Sequence, residues 1–277
     1  MAYHKILTIQ DISCVGQCSL TVALPILSAA GQETCILPSA VLSTHTAGFT
    51  GFTCRDLTAD MPAIAAHWKK ENIRFDAVYT GYLGSTEQIG YVQSIFTELL
   101  KPGAPKIVDP AMADNGKLYP AFDLAFVDEM KKLVSEADII LPNITEACFL
   151  TGISYRDVYD EAYIDKLLAA LRRIGAKTIV LTGVGYREGE TGVVVLDHGT
   201  QRYYAHKKIS RGCHGTGDVY ASAFVGAYMN GKTAYEAAML AADFTVRCIE
   251  NTIDDASHWY GVKFEPLLGE LIAAIAK

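Results

Sequence analysis

An α/β fold with a mostly parallel central sheet, helices on both faces and an antiparallel hairpin at one edge follows from three features of the sequence. Short apolar runs of strand length alternate with helix-period patterns from residue 5 to residue 181, the signature of successive β–α units. Two later strand-like runs, 193–196 and 201–204, are joined by Asp197-His-Gly-Thr200, a hairpin turn. Polar or glycine-rich clusters directly follow the strand candidates, at 11–16, 80–84, 109–115, 143–146 and 182–185. In a parallel sheet these share one rim, where ligands bind.

The elements run in order along the chain. Residues 5–10 read as a strand. Residues 19–30 form a helix with Leu20, Ala23, Leu24 and Leu27 on one face and Gly31 ending it. Strand 33–37 precedes helix 63–71, strand 77–80 and helix 86–100. Strand 106–109 gives way, after a polar loop, to helix 122–134. Strand 138–141 runs into Asn143-Ile-Thr-Glu146, whose spacing is that of a capping box opening the next helix. Helix 163–174 stops at Gly175 before strand 178–181. After the hairpin, helices over 217–229, 234–250 and 264–276 close the chain.

Half of the 277 residues are apolar and 20% are charged, which suits a large buried core. No linker, repeat or low-complexity stretch divides the sequence, so a single domain over 1–277 is expected. With 24 Lys and Arg against 31 Asp and Glu the net charge is −7. Such a chain has little to attract nucleic acid or an anionic membrane. The stretch MAYHKILTIQD is too short and too soon charged for a signal peptide or a membrane span. Seven cysteines, at 14, 18, 35, 54, 148, 213 and 248, form no paired metal hook. They read as reduced thiols of a cytoplasmic protein.

The chemistry concentrates at 211–218, Arg-Gly-Cys-His-Gly-Thr-Gly-Asp, ahead of an apolar helix. Gly215 and Gly217 let backbone amides converge, and the helix N-terminus adds a positive dipole end. With Thr216 they make a turn suited to an anion or to the charge of a transferring phosphoryl group. Asp218, in the first helical turn, is placed to take a proton from an attacking hydroxyl. The bland alternative is a helix start with a capping aspartate. The polar clusters on the same rim weigh against it. There is no P-loop, G-x-G-x-x-G or zinc hook to compete.

Several further segments carry a family resemblance: Leu7-Thr-Ile-Gln10, Ser43-Thr-His-Thr46, Tyr79-Thr-Gly-Tyr82, Val108-Asp-Pro110, the run from Ala137 to Asn143 with Glu146, Leu181-Thr182, and Gly215 to Asp218. In this order they resemble the ribokinase-like superfamily and, more closely, the pyridoxal/pyridoxamine kinases. The resemblance implies a three-layer α/β/α kinase that uses ATP and Mg²⁺, with potassium or sodium as a further aid, on the 5′-hydroxyl of a B6 vitamer. It also implies a homodimer. Carried over by residue, Asp218 is the base and Gly215, Thr216 and Gly217 the anion hole. Asn143, Glu146, Asp109 and Thr182 belong to the nucleotide phosphates, and Glu146 and Asp109 also to the metal. Asp11 or Ser13, with His45, Thr46 and Tyr82, falls at the pyridine pocket.

Each position has a structural alternative. Glu146 completes a capping box; Asp109 is a strand-end residue before Pro110; Tyr82 packs in the core; His45 bonds within its loop; Cys213, beside His214, is a buried thiol. The first loop, Gln10-Asp-Ile-Ser13, departs from the B6-kinase pattern, and Asp11 with Ser13 also resembles hydroxymethylpyrimidine kinases, which commonly carry cysteine where this chain has Asp218. A hydroxymethylpyrimidine kinase is therefore the alternative activity. A catalytically silent nucleotide- or vitamer-binding protein is the alternative from another class.

Overall fold

The computed structural model describes residues 3–209 and 213–277. The first half runs β1 (Lys5–Ser13), α1 (Leu20–Ala29), β2 (Glu33–Leu42), β3 (Cys54–Asp56), α2 (Met61–Lys70), β4 (Ala77–Thr80), α3 (Thr86–Glu98) and β5 (Lys106–Val108). A small ribbon of β6 (Ala113–Asp114) and β7 (Lys117–Leu118) leads to α4 (Leu124–Glu136), β8 (Ile139–Ile140), α5 (Ile144–Thr151), α6 (Glu161–Ile174) and β9 (Thr178–Thr182). The chain ends with β10 (Glu190–Asp197), β11 (Thr200–Lys207), α7 (Thr216–Met229), α8 (Ala234–Glu250), a short 3₁₀ turn (Glu265–Leu267) and α9 (Leu268–Ala276).

Among the described residues nine strands form one sheet in the order β11-β10-β9-β8-β5-β4-β1-β2-β3. The strands from β9 through β2 pair in parallel, and the β10–β11 hairpin joins β9 antiparallel. The expected architecture is therefore present. Two features depart from the expectation. β2 continues to Leu42, beyond residue 37, and β3 adds an antiparallel strand at the far edge. All three residues of β3 are exposed, so no burial pattern marks them in the sequence.

Each face of the sheet has its own core. Leu7 and Ile9 of β1, with Val78 of β4, pack under α2 to α6, whereas Ile6, Ala77 and Tyr79 face α1, α7, α8 and α9. This is the period-two alternation of a strand covered on both sides. In α1 the buried face is Leu20, Val22, Ala23, Ile26 and Leu27, and Leu24 stands 38% exposed. The four-residue step from Leu20 to Leu24 drifts off the apolar stripe, so Leu24 does not belong to the core as expected.

α7 is buried along almost its whole length. Small residues let it approach its neighbours: a Cβ on Gly226 would lie 2.7 Å from that of Ala30 at the end of α1. Phe224 is fully buried in this layer. Phe224→Ala should remove its transfer energy and leave a cavity, destabilising the fold by about 3–5 kcal/mol. A urea midpoint left near that of the native protein would show that α7 is not seated on this residue.

Candidate active site

Parallel pairing delivers the ends of β1, β4, β5, β8 and β9 to one rim, and the expected site residues lie there. Asp11 and Ser13 end β1, Tyr82 follows β4, Asp109 follows β5, Asn143 follows β8 and Thr182 ends β9. A bridge between Asn143 and Thr182 joins two of these ends. Asp218 in the first turn of α7 interacts electrostatically with Asp11 and Asp109, so β1, β5 and α7 converge.

Gly215 precedes α7 with φ 74°, the left-handed region that favours glycine. A Cβ there would sit 1.7 Å from the Gln17 carbonyl oxygen. Any larger residue would push the turn off the first loop. Among the described residues no side chain caps α7, and a Cβ on Gly217 would meet no atom of them within 4 Å. The first-turn amides therefore end at an open approach suited to an anion. Thr216 Oγ1 donates to the Cys213 carbonyl at 3.4 Å, which braces the turn. Arg211 and Gly212 of the motif lie outside the described residues.

Asp218 is half-buried. Burial pushes its pKa up to about 7, the neighbouring Asp11 adds to the rise, and a backbone hydrogen bond from Ser19 opposes it. Asp109 is pushed well above the usual carboxylate range, first by burial and then by Glu146 and Asp218. Glu146 is raised to about 8 by burial, while hydrogen bonds from the backbone of Asn143, Met112 and Ala113 pull it down. Among the described residues, no basic side chain is named as acting on these three carboxylates.

The capping box at Asn143 and Glu146 is present. The Glu146 N–H donates to Asn143 Oδ1 at 2.8 Å, and the Asn143 N–H donates to Glu146 Oε2 at 2.9 Å. Glu146 Oε1 accepts from Met112 N–H at 3.2 Å, and Asn143 Nδ2 donates to the Ala113 carbonyl at 2.8 Å. Both side chains thus brace the β5–β6 loop. Among the described residues no three His, Cys, Asp or Glu side chains converge as a ready-made metal cage.

The acceptor side of the rim is mixed. Asp11 is 5% exposed and accepts from the Ser13 hydroxyl at 3.1 Å; burial raises its pKa, opposed by Ser19, Ser13 and His45. Tyr82 is half-buried, with its ring centroid 5.2 Å from that of Phe122, and burial holds its phenol up at about 12. Thr46 is exposed. His45 makes hydrogen bonds through both ring nitrogens. Its Nδ1 accepts from Ala47 N–H at 3.1 Å and its Nε2 donates to the Tyr260 carbonyl at 2.7 Å, so only its ring face and edge remain. The His214 ring lies 5.4 Å from it, and burial, then His45, lowers the His214 pKa.

Residues not singled out from the sequence complete the site. Ser19 precedes α1 with φ 54°, a left-handed value costly for a non-glycine residue. Its side chain lowers the pKa of Asp11 and its backbone that of Asp218, so it lies against both carboxylates. Cys18 lies beside Asp218 and Asp11, and burial raises its thiol pKa far above the ordinary value. From far along the chain, Tyr260 anchors His45, and Trp259 packs on Phe49 with ring centroids 4.6 Å apart. Serine directly before a helical pattern is the only sequence signal for Ser19. No local pattern announces the Tyr260 contact.

A profile of the phosphomethylpyrimidine kinase family matches residues 27–262, most of the chain. The chain belongs to this family. A provisionally assigned phosphomethylpyrimidine kinase from Bacteroides thetaiotaomicron, crystallised with pyridoxal, is 35% identical, with a TM-score of 0.90 over 96% of this chain and 95% of that one. Pyridoxal kinase from Lactobacillus plantarum is 32% identical, with a TM-score of 0.90 over 98% of this chain and 97% of that one. A curated pyridoxal kinase from Dictyostelium discoideum is 28% identical over 80% of this chain and 77% of its own length. The expected ribokinase-like architecture of the pyridoxal kinases is thereby established, and the family makes this chain a phosphotransferase with an alcohol acceptor.

An Asp218 base must be ionised to work. Its raised pKa therefore predicts that kcat/KM falls as pH drops through about 7 and levels off above it. In the weak residual activity of Asp218→Asn this limb should vanish. A pH–rate profile that keeps the limb in the variant would assign it to another carboxylate.

Proposed function

We propose that this chain transfers the γ-phosphoryl group of ATP to the 5′-hydroxyl of pyridoxal, pyridoxine or pyridoxamine, a salvage reaction for vitamin B6. The observation that carries the substrate class is the 35% identical relative crystallised with pyridoxal, whose fold superposes on nearly the whole chain. A half-buried Asp218 beside an uncapped helix N-terminus supports the reaction type.

In this reading Asp218 takes the hydroxyl proton as the phosphoryl group passes to the acceptor oxygen. The first-turn amides of α7, with Gly215, Thr216 and Gly217, stabilise the equatorial charge. Because the phosphoryl transition state is loose, placement of acceptor and donor does most of the work. Thr182 and Asn143 line the nucleotide phosphates. Tyr82 lies against the vitamer ring, with Asp11, Ser13 and Thr46 at its polar substituents, and His45 packs without donating to it.

The carboxylates fit Mg²⁺. Asp109, Glu146 and Asp218 bring three carboxyl groups together, each raised by burial so that a bound cation would favour its ionised form, and Mg²⁺ keeps several waters and shares its shell with phosphates. Asp109 and Glu146 would hold it, Glu146 through water because backbone amides occupy both its oxygens. The ion would neutralise phosphate charge. A monovalent cation, a cytoplasmic location and a homodimer complete the reading.

The family description favours one second reading, phosphorylation of hydroxymethylpyrimidine or its phosphate. A panel of the three vitamers and hydroxymethylpyrimidine, scored for ATP-dependent phosphate ester, decides between them. Product from hydroxymethylpyrimidine alone would overturn the B6 assignment.

Two substitution patterns test the residue roles. Asp218→Asn should lower kcat about 10²–10⁴-fold with little change in KM. Tyr82→Ala should raise the vitamer KM several-fold and leave the KM for ATP alone, since an aromatic contact is worth about 0.5–1.5 kcal/mol beyond burial. Weaker ATP binding alone in Tyr82→Ala would remove Tyr82 from the acceptor pocket.

Glu146→Gln should raise the Mg²⁺ concentration for half-maximal rate and lower the thermal midpoint through the weakened capping box. A melting change with no shift in Mg²⁺ dependence would leave Glu146 a cap only.

A further inference from the structure

Beneath the active-site rim lies a polar layer that the proposed mechanism does not use. Thr8 and Gln10 of β1, Tyr79 of β4 and Ser222 of α7 are all fully buried. Gln10 Nε2 donates to Thr8 Oγ1 at 2.9 Å, which fixes the amide. Ser222 and Gln10 lie within reach of the Tyr79 hydroxyl. Yet Tyr79 Oη, Gln10 Oε1 and Ser222 Oγ each lack a hydrogen bond of good geometry. Buried polar atoms in that condition lower stability, and an apolar replacement of the same shape removes the penalty. Their presence here calls for a reason other than stability.

Their positions supply one. Gln10 directly precedes Asp11, and Ser222 stands one helical turn after Asp218 on α7. The Tyr79 hydroxyl senses the charges of both Asp109 and Asp218. The layer therefore touches the strand that carries one site carboxylate and the helix that carries another. Apart from Ser222 and Tyr220, the buried residues of α7 are apolar or glycine. Apolar packing is non-directional, whereas the neighbouring hydroxyls of Tyr79 and Ser222, close but without a well-formed hydrogen bond, form a polar step between β4 and α7 that an apolar surface lacks. Gly81 belongs to the same device, since a Cβ there would lie 2.6 Å from Gln10 Oε1.

We propose that Tyr79, together with Ser222 and Gln10, is a positioning element that keys the first turn of α7 to β1 and β4, holding Asp218 and the anion turn in register with the acceptor hydroxyl. Tyr79 touches no substrate; it acts through the helix. The inference rests on the kinase reading, and Asp218→Asn together with the substrate panel tests that reading separately.

Tyr79→Phe deletes only the hydroxyl, and Ser222→Ala deletes the opposing one. Each should lower kcat about tenfold or more, because small misplacements of reacting groups are costly. KM for ATP and for the vitamer should stay within about twofold, and the thermal midpoint should hold or rise. The double variant should be no slower than the slower single one, because the two hydroxyls act as one unit. Wild-type kcat in both single variants would overturn the proposal. So would a kcat loss that tracks a fall in thermal midpoint, or losses that multiply in the double variant. In each of those cases a wild-type enzyme active on vitamers, and inactive as Asp218→Asn, would leave the kinase assignment standing.

Discussion

Like charge crowded at one rim is the constraint on which this site depends. Asp11, Asp109, Glu146 and Asp218 arrive from β1, the end of β5, α5 and α7, and burial raises the pKa of each. A core built for stability alone would pair these groups with lysine or arginine, because an unpaired buried charge is expensive. Here the compensation comes instead from backbone amides at Glu146 and from Ser19 at Asp11 and Asp218. Among the described residues no lysine or arginine is named as acting on these groups, which suits a substrate that arrives with its own cation. It also keeps Asp218 near neutral pH in its proton affinity, where a base both accepts and releases a proton readily.

Most of the frame was legible in the sequence because it rests on local periodicity. The β–α alternation, the late hairpin, the rim of polar clusters and the capping box at Asn143 all appear as expected. Misses occur where burial leaves no pattern. β3 is three exposed residues held only by pairing to β2, and the β6–β7 ribbon is two residues on each side. Strands that short have no periodicity to read. Leu24 was misassigned because a helix face is wide enough to admit several registers, and only the packed structure selects one.

Within the site, legibility follows sequence distance. Gly215, Thr216, Gly217 and Asp218 are contiguous and announce a helix start at once. The partners that tune Asp218 beyond burial, Asp11 and Ser19, lie some two hundred positions earlier. His45 shows the same limit from the other side. Its residue type fits a ligand contact and a structural hydrogen bond alike, and the Tyr260 carbonyl more than two hundred residues away takes its Nε2 proton. A titratable residue in a loop is ambiguous until the whole chain has folded around it.

Strain and unsatisfied polarity are distributed unevenly, and their distribution points to function. Ser19 holds a positive φ against the two carboxylates, and Gly215 closes on the Gln17 carbonyl at a distance no side chain tolerates. The orphaned hydroxyls of Tyr79 and Ser222 lie directly below. By contrast, α5 and α8 each carry a complete capping box, and the buried Gln88 of α3 donates to the Ser39 carbonyl and to Thr58. The capped elements thus supply a stable frame, and several of the costly contacts lie at α7 and the first loop. Packing alone does not ask for costly contacts there. A reaction that needs one carboxylate, one turn and one hydroxyl held in a fixed line does.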